Sequence, residues 1–196
     1  MKLNRIEFAL MNNPIRAIIQ ETHEIGVLRK MTSITDVGNA LEIGCGNGHG
    51  TKLIKKYFCP RRIDAVDLDE KMSFPDHAFD AIFDFGMIHH IPNWKDCISE
   101  MKRVLKDEGE LILEELSIDS FVNLSGRLWR KLLDHPYDEM FSTAEFLDAL
   151  AATGFVLKGY FESYPLWLFK DFSLVAKKAM AHNEAARSIR LPDNLT

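Results

Sequence analysis

A chain of 196 residues that is 46% hydrophobic and 27% charged suffices for one domain with a buried core, and its mix is not that of a disordered segment. Its net charge of -5 and pI near 5.8 give no electrostatic reason to expect a polyanionic partner. Three scattered cysteines, Cys45, Cys59 and Cys97, have no CxxC pairing and no metal-ligand spacing, and fit a reducing compartment better than a disulfide framework.

The opening MKLNRIEFAL has neither the apolar run nor the small-residue cleavage site of a signal peptide. No stretch approaches the roughly 18 apolar residues of a membrane span. A soluble cytoplasmic protein without a membrane partner is the expectation. Residues 5–31 show helical spacing at Ile15, Ile18, Ile19 and Thr22, with a break at Asn13-Pro14. Residues 39–43 form a short apolar run that stops at a glycine-rich loop, followed by a helical pattern with Leu53, Ile54, Tyr57 and Phe58 inward. Residues 63–66 and 80–85 read as two further strands. Asn93 stands as a helix N-cap with Asp96 at the third helical position. Ile98, Met101, Val104 and Leu105 then recur at helical spacing, and Gly109 occupies the place of a C-cap before a strand at 110–116. Strands alternating with helices predict a parallel sheet covered on both faces.

Ser142 and Glu145 form a capping box that opens a helix through Phe146, Leu147, Leu150 and Ala151, closed by Gly154. Two β-like runs follow, 155–162 and 168–177. Their connection is too short for a crossover helix, so they pair antiparallel. The fold predicted is α/β: a doubly wound, mostly parallel sheet with helices on both faces and a C-terminal antiparallel hairpin. Residues 1–196 form a single domain: an N-terminal helical lid at 1–35, a cofactor-binding half at 38–116, an insert at 117–141, and the C-terminal helix and hairpin at 142–178. The polar residues from Met180 onward are peripheral.

The most informative string is Leu41-Glu-Ile-Gly-Cys-Gly-Asn-Gly-His-Gly50. Gly44, Gly46 and Gly48 sit where a strand turns into a helix, and glycine there tolerates positive φ and a ligand against the backbone. A dinucleotide fingerprint, G-x-G-x-x-G, fails because His49 holds the third glycine position. The string resembles motif I of class I S-adenosylmethionine-dependent methyltransferases of small-molecule type. The resemblance continues at Ala65-Val-Asp-Leu-Asp69, at Phe74-Pro-Asp-His-Ala-Phe-Asp-Ala-Ile82 with Met87-Ile-His-His-Ile-Pro92, and through the helix–glycine–strand segment Glu100 to Leu113. Four motifs in order span roughly residues 41–116.

The resemblance implies a cofactor site for S-adenosylmethionine. Gly44, Gly46 and Gly48 would pass beneath its methionine part, with Cys45 in the same cradle. Glu42 would orient the loop or meet the amino-acid end. Asp67 would accept both ribose hydroxyls, and Leu68 would lie against the adenine. Asp84, Phe85 and Gly86 would flank the methionine moiety. His89 and His90 read as packing or hydrogen-bonding beneath the site rather than as metal ligands, and no metal is expected. Glu114 or Glu115 is a candidate base or substrate contact, or equally a solvated carboxylate. No catalytic residue is assigned, because the sulfonium cofactor carries an activated methyl and needs no protein nucleophile.

Between Asp69 and Phe74 the family has a helix, a third strand and an acidic residue that reads the adenine. Here only Glu70-Lys-Met-Ser73 remains, too short for a crossover between parallel strands. A missing segment of roughly 25–35 residues, about one strand–helix unit, is the expectation, through omission from the sequence or natural deletion. The geometry favours omission, between Lys71 and Met72. The acceptor is expected to be a small molecule, with Trp129, Tyr137, Tyr164 and Trp167 available to line its site or pack the core. Nucleic acid is disfavoured by the acidic balance and by the lack of an Asn/Asp-Pro-Pro-Tyr motif. A non-catalytic cofactor-binding protein and a nicotinamide-dependent oxidoreductase are the alternatives. Oligomeric state is left open.

Overall fold

The computed structural model describes residues 13–66, 72–122, 124–132, 137–164 and 170–179. Residues 14–31 form one helical run: α1 (Pro14–Ile19), a π-helical turn (Gln20–Glu24) and α2 (Ile25–Met31). Pro14 opens it, where the missing N–H costs nothing. There follow β1 (Asn39–Ile43), α3 (His49–Tyr57), β2 (Arg62–Val66), β3 (Phe79–Phe85) and α4 (Trp94–Val104). The chain continues through β4 (Leu105–Leu116), α5 (Leu124–Trp129), α6 (Thr143–Thr153), β5 (Phe155–Ser163) and β6 (Asp171–Lys178).

The six strands lie in the order β2-β1-β3-β4-β6-β5. The first four are mutually parallel, and β6 runs antiparallel to both β4 and β5. This is the doubly wound sheet with a terminal hairpin that the pattern predicts. Alternation along β4 sorts the core. Leu111 and Leu113 enter a layer with Ile98, Met101 and Phe146 of α4 and α6, whereas Ile112 enters a layer with Leu28 of α2 and Ile54 of α3. Both faces are therefore covered, as a parallel sheet requires. The Ser142 capping box and the left-handed Gly154 bound α6 as the sequence predicts. No described helix is long and apolar enough to cross a membrane.

Two details differ from the sequence reading and a third follows it. Gly109 is not a C-cap: α4 ends at Val104 and the chain enters β4 at once. The register shifts between Phe79 and Ala81, and Glu108 takes φ 64°. A Cβ on Gly109 would stand 2.9 Å from Lys106 O and 3.0 Å from Asp80 O, so the glycine serves a strand bulge. On the N-terminal run, Ile18 is exposed and the buried positions include the polar Gln20 and Glu24. That face meets the ends of strands, not an apolar layer. Finally, among the described residues no strand lies between β2 and β3, and β2 is the sheet edge.

The crossing from β2 to β3 uses only residues 67–78, and its described part is not bare. Met72 is buried in the α4 layer, with Phe74 packed edge-on against Phe79 at 4.9 Å. Arg103 on α4 donates to Met72 O at 3.0 Å and Phe74 O at 2.8 Å, and pairs with Glu100 and Asp76. Glu100 in turn accepts from the Met72 N–H at 3.2 Å. One guanidinium thus ties the described part of the short crossing to the helix beneath it. Arg103→Ala should lower stability by about 1–2 kcal/mol, the range for hydrogen bonds from a charged group, and expose the 72–78 segment to protease. Unchanged urea denaturation together with an unchanged cleavage pattern would show that the crossing does not depend on Arg103.

Candidate functional site

Ile43 pairs with Asp84, so the carboxyl ends of β1 and β3 stand level, side by side. The loop leaving β1 is anchored to β2: the Gly44 and Cys45 N–H groups donate to Val66 O at 2.8 and 3.3 Å. Gly44, Gly46 and Gly48 have φ of 73°, 44° and 78°, all left-handed. A Cβ on Gly44 would fall 2.2 Å from the Met87 side chain, while one on Gly46 would meet nothing within 4 Å. Gly46 therefore turns an open backbone surface outward, the shape a ligand against the loop needs. Gly48 is the N-cap of α3.

Glu42 is buried and accepts a hydrogen bond from the Thr51 hydroxyl of α3. Burial pushes its pKa up, and the Thr51 bond opposes the shift. Glu42 is thereby tied to the helix that follows the loop. Gly50, which the sequence reading passed over, makes this possible: a Cβ there would lie 2.2 Å from Glu42 Oε1 and 2.8 Å from Phe85. Its signal was the glycine two residues beyond Gly48. Across the cleft, Asp84 is buried, Phe85 half-buried and Gly86 left-handed at φ 80°. The fold thus brings Glu42, Gly44, Cys45, Gly46 and Gly48 together with Asp84, Phe85 and Gly86. Asp67 and Leu68 lie outside the described residues, as does Trp167. Trp129 and Tyr137 pack on Phe121 and Met140, and Tyr164 is exposed.

Glu114 and Glu115, at the end of β4, are both buried rather than solvated. Glu115 accepts from the Ile88 N–H at 2.5 Å and lies 2.6 Å from His89 Nδ1. Burial works against its charge, but His89 holds its pKa below the ordinary value. Burial and the neighbouring Glu115 charge push Asp84 well above the ordinary carboxylate value. The His89 and His90 rings, both buried, lie tilted by 38° with centroids 4.0 Å apart.

Glu114 faces the other way. Arg16 pairs with it at 3.3 Å, and Glu24 and Asp171 complete a buried group whose carboxylate oxygens, one from each, lie within 4.8 Å of one another. Burial, foremost, and then Glu114 raise Glu24 to about 9 and Asp171 to about 8, against the opposing pull of Arg16. Sequence reasoning missed Arg16, Gln20, Glu24 and Asp171. Their signal was a polar stripe at four-residue spacing, 16, 20 and 24, on a helix read for its apolar face.

A family model described as a methyltransferase domain matches residues 15–158. A tRNA U34 carboxymethyltransferase of Actinobacillus pleuropneumoniae is 30% identical over 108 residues, 42% of this chain and 34% of that protein. The chain spans about a third of the length of such relatives. The 108 aligned positions take in about 82 of the 196 residues here, so about 26 belong to the relative alone. Among solved structures, geranyl diphosphate C-methyltransferase from Streptomyces coelicolor, in complex with Mg2+, geranyl diphosphate and S-adenosyl-L-homocysteine, superposes with TM-score 0.63 at 13% identity, over 81% of this chain and 79% of that one. Haemonchus contortus phosphoethanolamine N-methyltransferase 2, bound to S-adenosyl-L-methionine, gives 0.65 at 12%, over 80% and 52%. The tRNA-modifying relatives overturn the expectation of a small-molecule acceptor and no nucleic acid. An acidic total does not exclude RNA, because phosphate contacts are made by a local patch rather than by net charge.

Between about pH 4 and the raised values of Glu24 and Asp171, the folded chain holds protons that the unfolded chain has released. Stability therefore falls as pH rises across that window. Glu24→Gln removes one of these groups while keeping its shape. Its melting temperature should match the native protein near pH 5 and exceed it near pH 8.5. Parallel melting curves for the two proteins across that range would show that Glu24 titrates normally.

Proposed function

Since the chain belongs to the class I S-adenosylmethionine-dependent methyltransferases, we propose that it transfers a methyl group to an RNA base by in-line displacement, with the loop 44–48 and residues 84–86 holding the cofactor. The observation that carries the site assignment is the left-handed Gly44–Gly46–Gly48 turn facing the level ends of β1 and β3. When bound there, S-adenosylmethionine supplies an activated methyl on a sulfonium. The residues of the chain do the rest. Glu42 fixes the loop, Asp84 and Gly86 border the methionine end, and Asp67 takes the ribose hydroxyls. The buried ends of β4 and β6 set the place of the acceptor, about 3–3.5 Å from the methyl before reaction.

RNA as acceptor is supported by the tRNA-modifying relatives and by the surface beside the cleft. The insert leaves the sheet at the carboxyl end of β4 and exposes Arg127, Arg130 and Lys131, with the Arg130 guanidinium 4.8 Å over the Tyr137 ring. Basic side chains interleaved with an aromatic suit a phosphate backbone and a splayed base. The N-terminal helical run covers the cleft as a lid.

Labelled S-adenosylmethionine and total tRNA test the acceptor. Label should enter the tRNA, and the double change Arg130→Ala, Lys131→Ala should raise the KM for tRNA and flatten its salt dependence by roughly one contact per cation. Cofactor binding without label in RNA would sink the acceptor assignment. For the cofactor, Asp67→Ala should weaken S-adenosylhomocysteine binding by about 2 kcal/mol. Gly46→Val should abolish it in a folded protein, because the side chain would fill the open surface and strain a left-handed φ. Near-native affinity in the folded Gly46 variant would reduce the loop to a turn.

A further inference from the structure

Glu114 and Asp171 come together by register. Glu114 pairs with Ser173, and Asp171, two residues away on β6, shares its face of the sheet. From above, the N-terminal run lowers Arg16, Gln20 and Glu24 onto them, the latter two from the π-helical turn. Such turns concentrate at functional sites. Glu24 is 1% exposed, and neither of its carboxylate oxygens meets a hydrogen-bond donor among the described residues. It faces Glu114 and Asp171, themselves acceptors. Three carboxyl groups buried around one guanidinium cannot all ionise cheaply, and a group that donates hydrogen bonds to them would offset that cost.

The group also lies where an acceptor belongs. A Cβ on Gly86, at the methionine side of the cleft, would stand 3.6 Å from Arg16 Nη2. The Arg16–Glu114 pair thus abuts the end of β3, beside the residues read above as bordering the cofactor. We propose that Glu24, Glu114 and Asp171 form the acceptor subsite, which takes a proton-bearing amine nitrogen and receives from it the proton released on methylation. This rests on the cofactor reading above and adds the chemical class of the acceptor atom.

The alternative occupant, a divalent cation, suits the site less well. Such an ion seeks six or more oxygen ligands, whereas Arg16 already places a positive charge against Glu114. An amine brings several N–H donors to three acceptors and adds at most one charge. The step balances. The nitrogen lone pair forms the N–CH3 bond as the C–S bond breaks, the sulfur departs as a neutral thioether, and the N–H proton passes to the Glu24 carboxylate. Glu24 holds its own proton until about pH 9, so the carboxylate that receives the amine proton forms as pH rises toward that value, and turnover rises with it. Among the described residues the charged groups facing Glu24 are Arg16, Glu114 and Asp171.

The test uses the full chain with labelled S-adenosylmethionine and two acceptor arms, total tRNA and the free amines propylamine and putrescine. In either arm the product should carry its label on nitrogen. Glu24→Gln and Asp171→Asn should each lower turnover by about a hundredfold, with S-adenosylhomocysteine affinity within about twofold of native. The rise of turnover with pH in the native protein should be lost in Glu24→Gln. Label on oxygen or carbon of the tRNA with none in the free amines would overturn the proposal while leaving the methyltransferase reading intact, and so would native turnover in both variants. Saturable Mn2+ binding that disappears in the variants would place a metal there instead. Loss of S-adenosylhomocysteine binding by the native protein would defeat the underlying reading, a separate outcome.

Discussion

Two consecutive carboxylates at the end of β4 cannot share a partner, because neighbouring residues on a strand point to opposite faces. Glu114 and Glu115 are both buried, so each face must supply its own compensation. On one face Glu115 is answered by His89 and the Ile88 N–H, which fixes the loop after β3 against the sheet. On the other, Glu114 is answered by Arg16, which draws the N-terminal helical run down over the strand ends. The two sides of the cleft are thus positioned by one pair of adjacent residues. An unpaired charge in either place would cost several kcal/mol, which is why the two partners come from segments far apart in the chain.

The same run is held at its far end as well. Glu110, at the start of the paired part of β4 and on the same face as Glu114, accepts from the Thr32 and Ser33 hydroxyls and from the Ser33 N–H at 3.1 Å. The two attachments are unequal. The Glu110 end has several neutral donors on one carboxylate, while the Glu114 end rests on one longer ion pair among groups that hold or release protons.

Much of the cofactor side was legible because it depends on backbone. Left-handed glycines at 44, 46 and 48, the level ends of β1 and β3, and the antiparallel hairpin follow from residue type, apolar periodicity and connection length. What was not legible depends on side chains meeting across long separations. Nothing in the local pattern at Glu24 or Asp171 says that each will face Glu114. Helical periodicity, read for apolar residues, set Ile18 inward when the inward stripe is Arg16, Gln20 and Glu24. Gly109 misled for a related reason: a glycine after a helix resembles a C-cap whether the chain stops there or has already entered a strand. The acceptor inference failed on averaging, since net charge describes the whole surface and an RNA contact samples a part of it.

The shortened crossing shows the same limit from another side. Length alone said that residues 67–78 could not carry a covered crossover, and the relatives do have about 26 residues more in the aligned stretch. Coverage, though, is a matter of buried area and satisfied backbone groups, not of helices as such. Met72 and Phe74 supply apolar area on the α4 side, and Arg103 and Glu100 satisfy the Met72 and Phe74 backbone polar groups that a helix would otherwise have met internally. The consequence appears at the sheet margin. With no described strand beyond it, β2 presents its outer edge with exposed Arg62 and Ala65, and its Arg62–Asp64 ion pair puts charge on that edge, a common guard against further strand pairing. The glycine cradle does not depend on this crossing, because it is built from β1, β3 and the Val66 carbonyl.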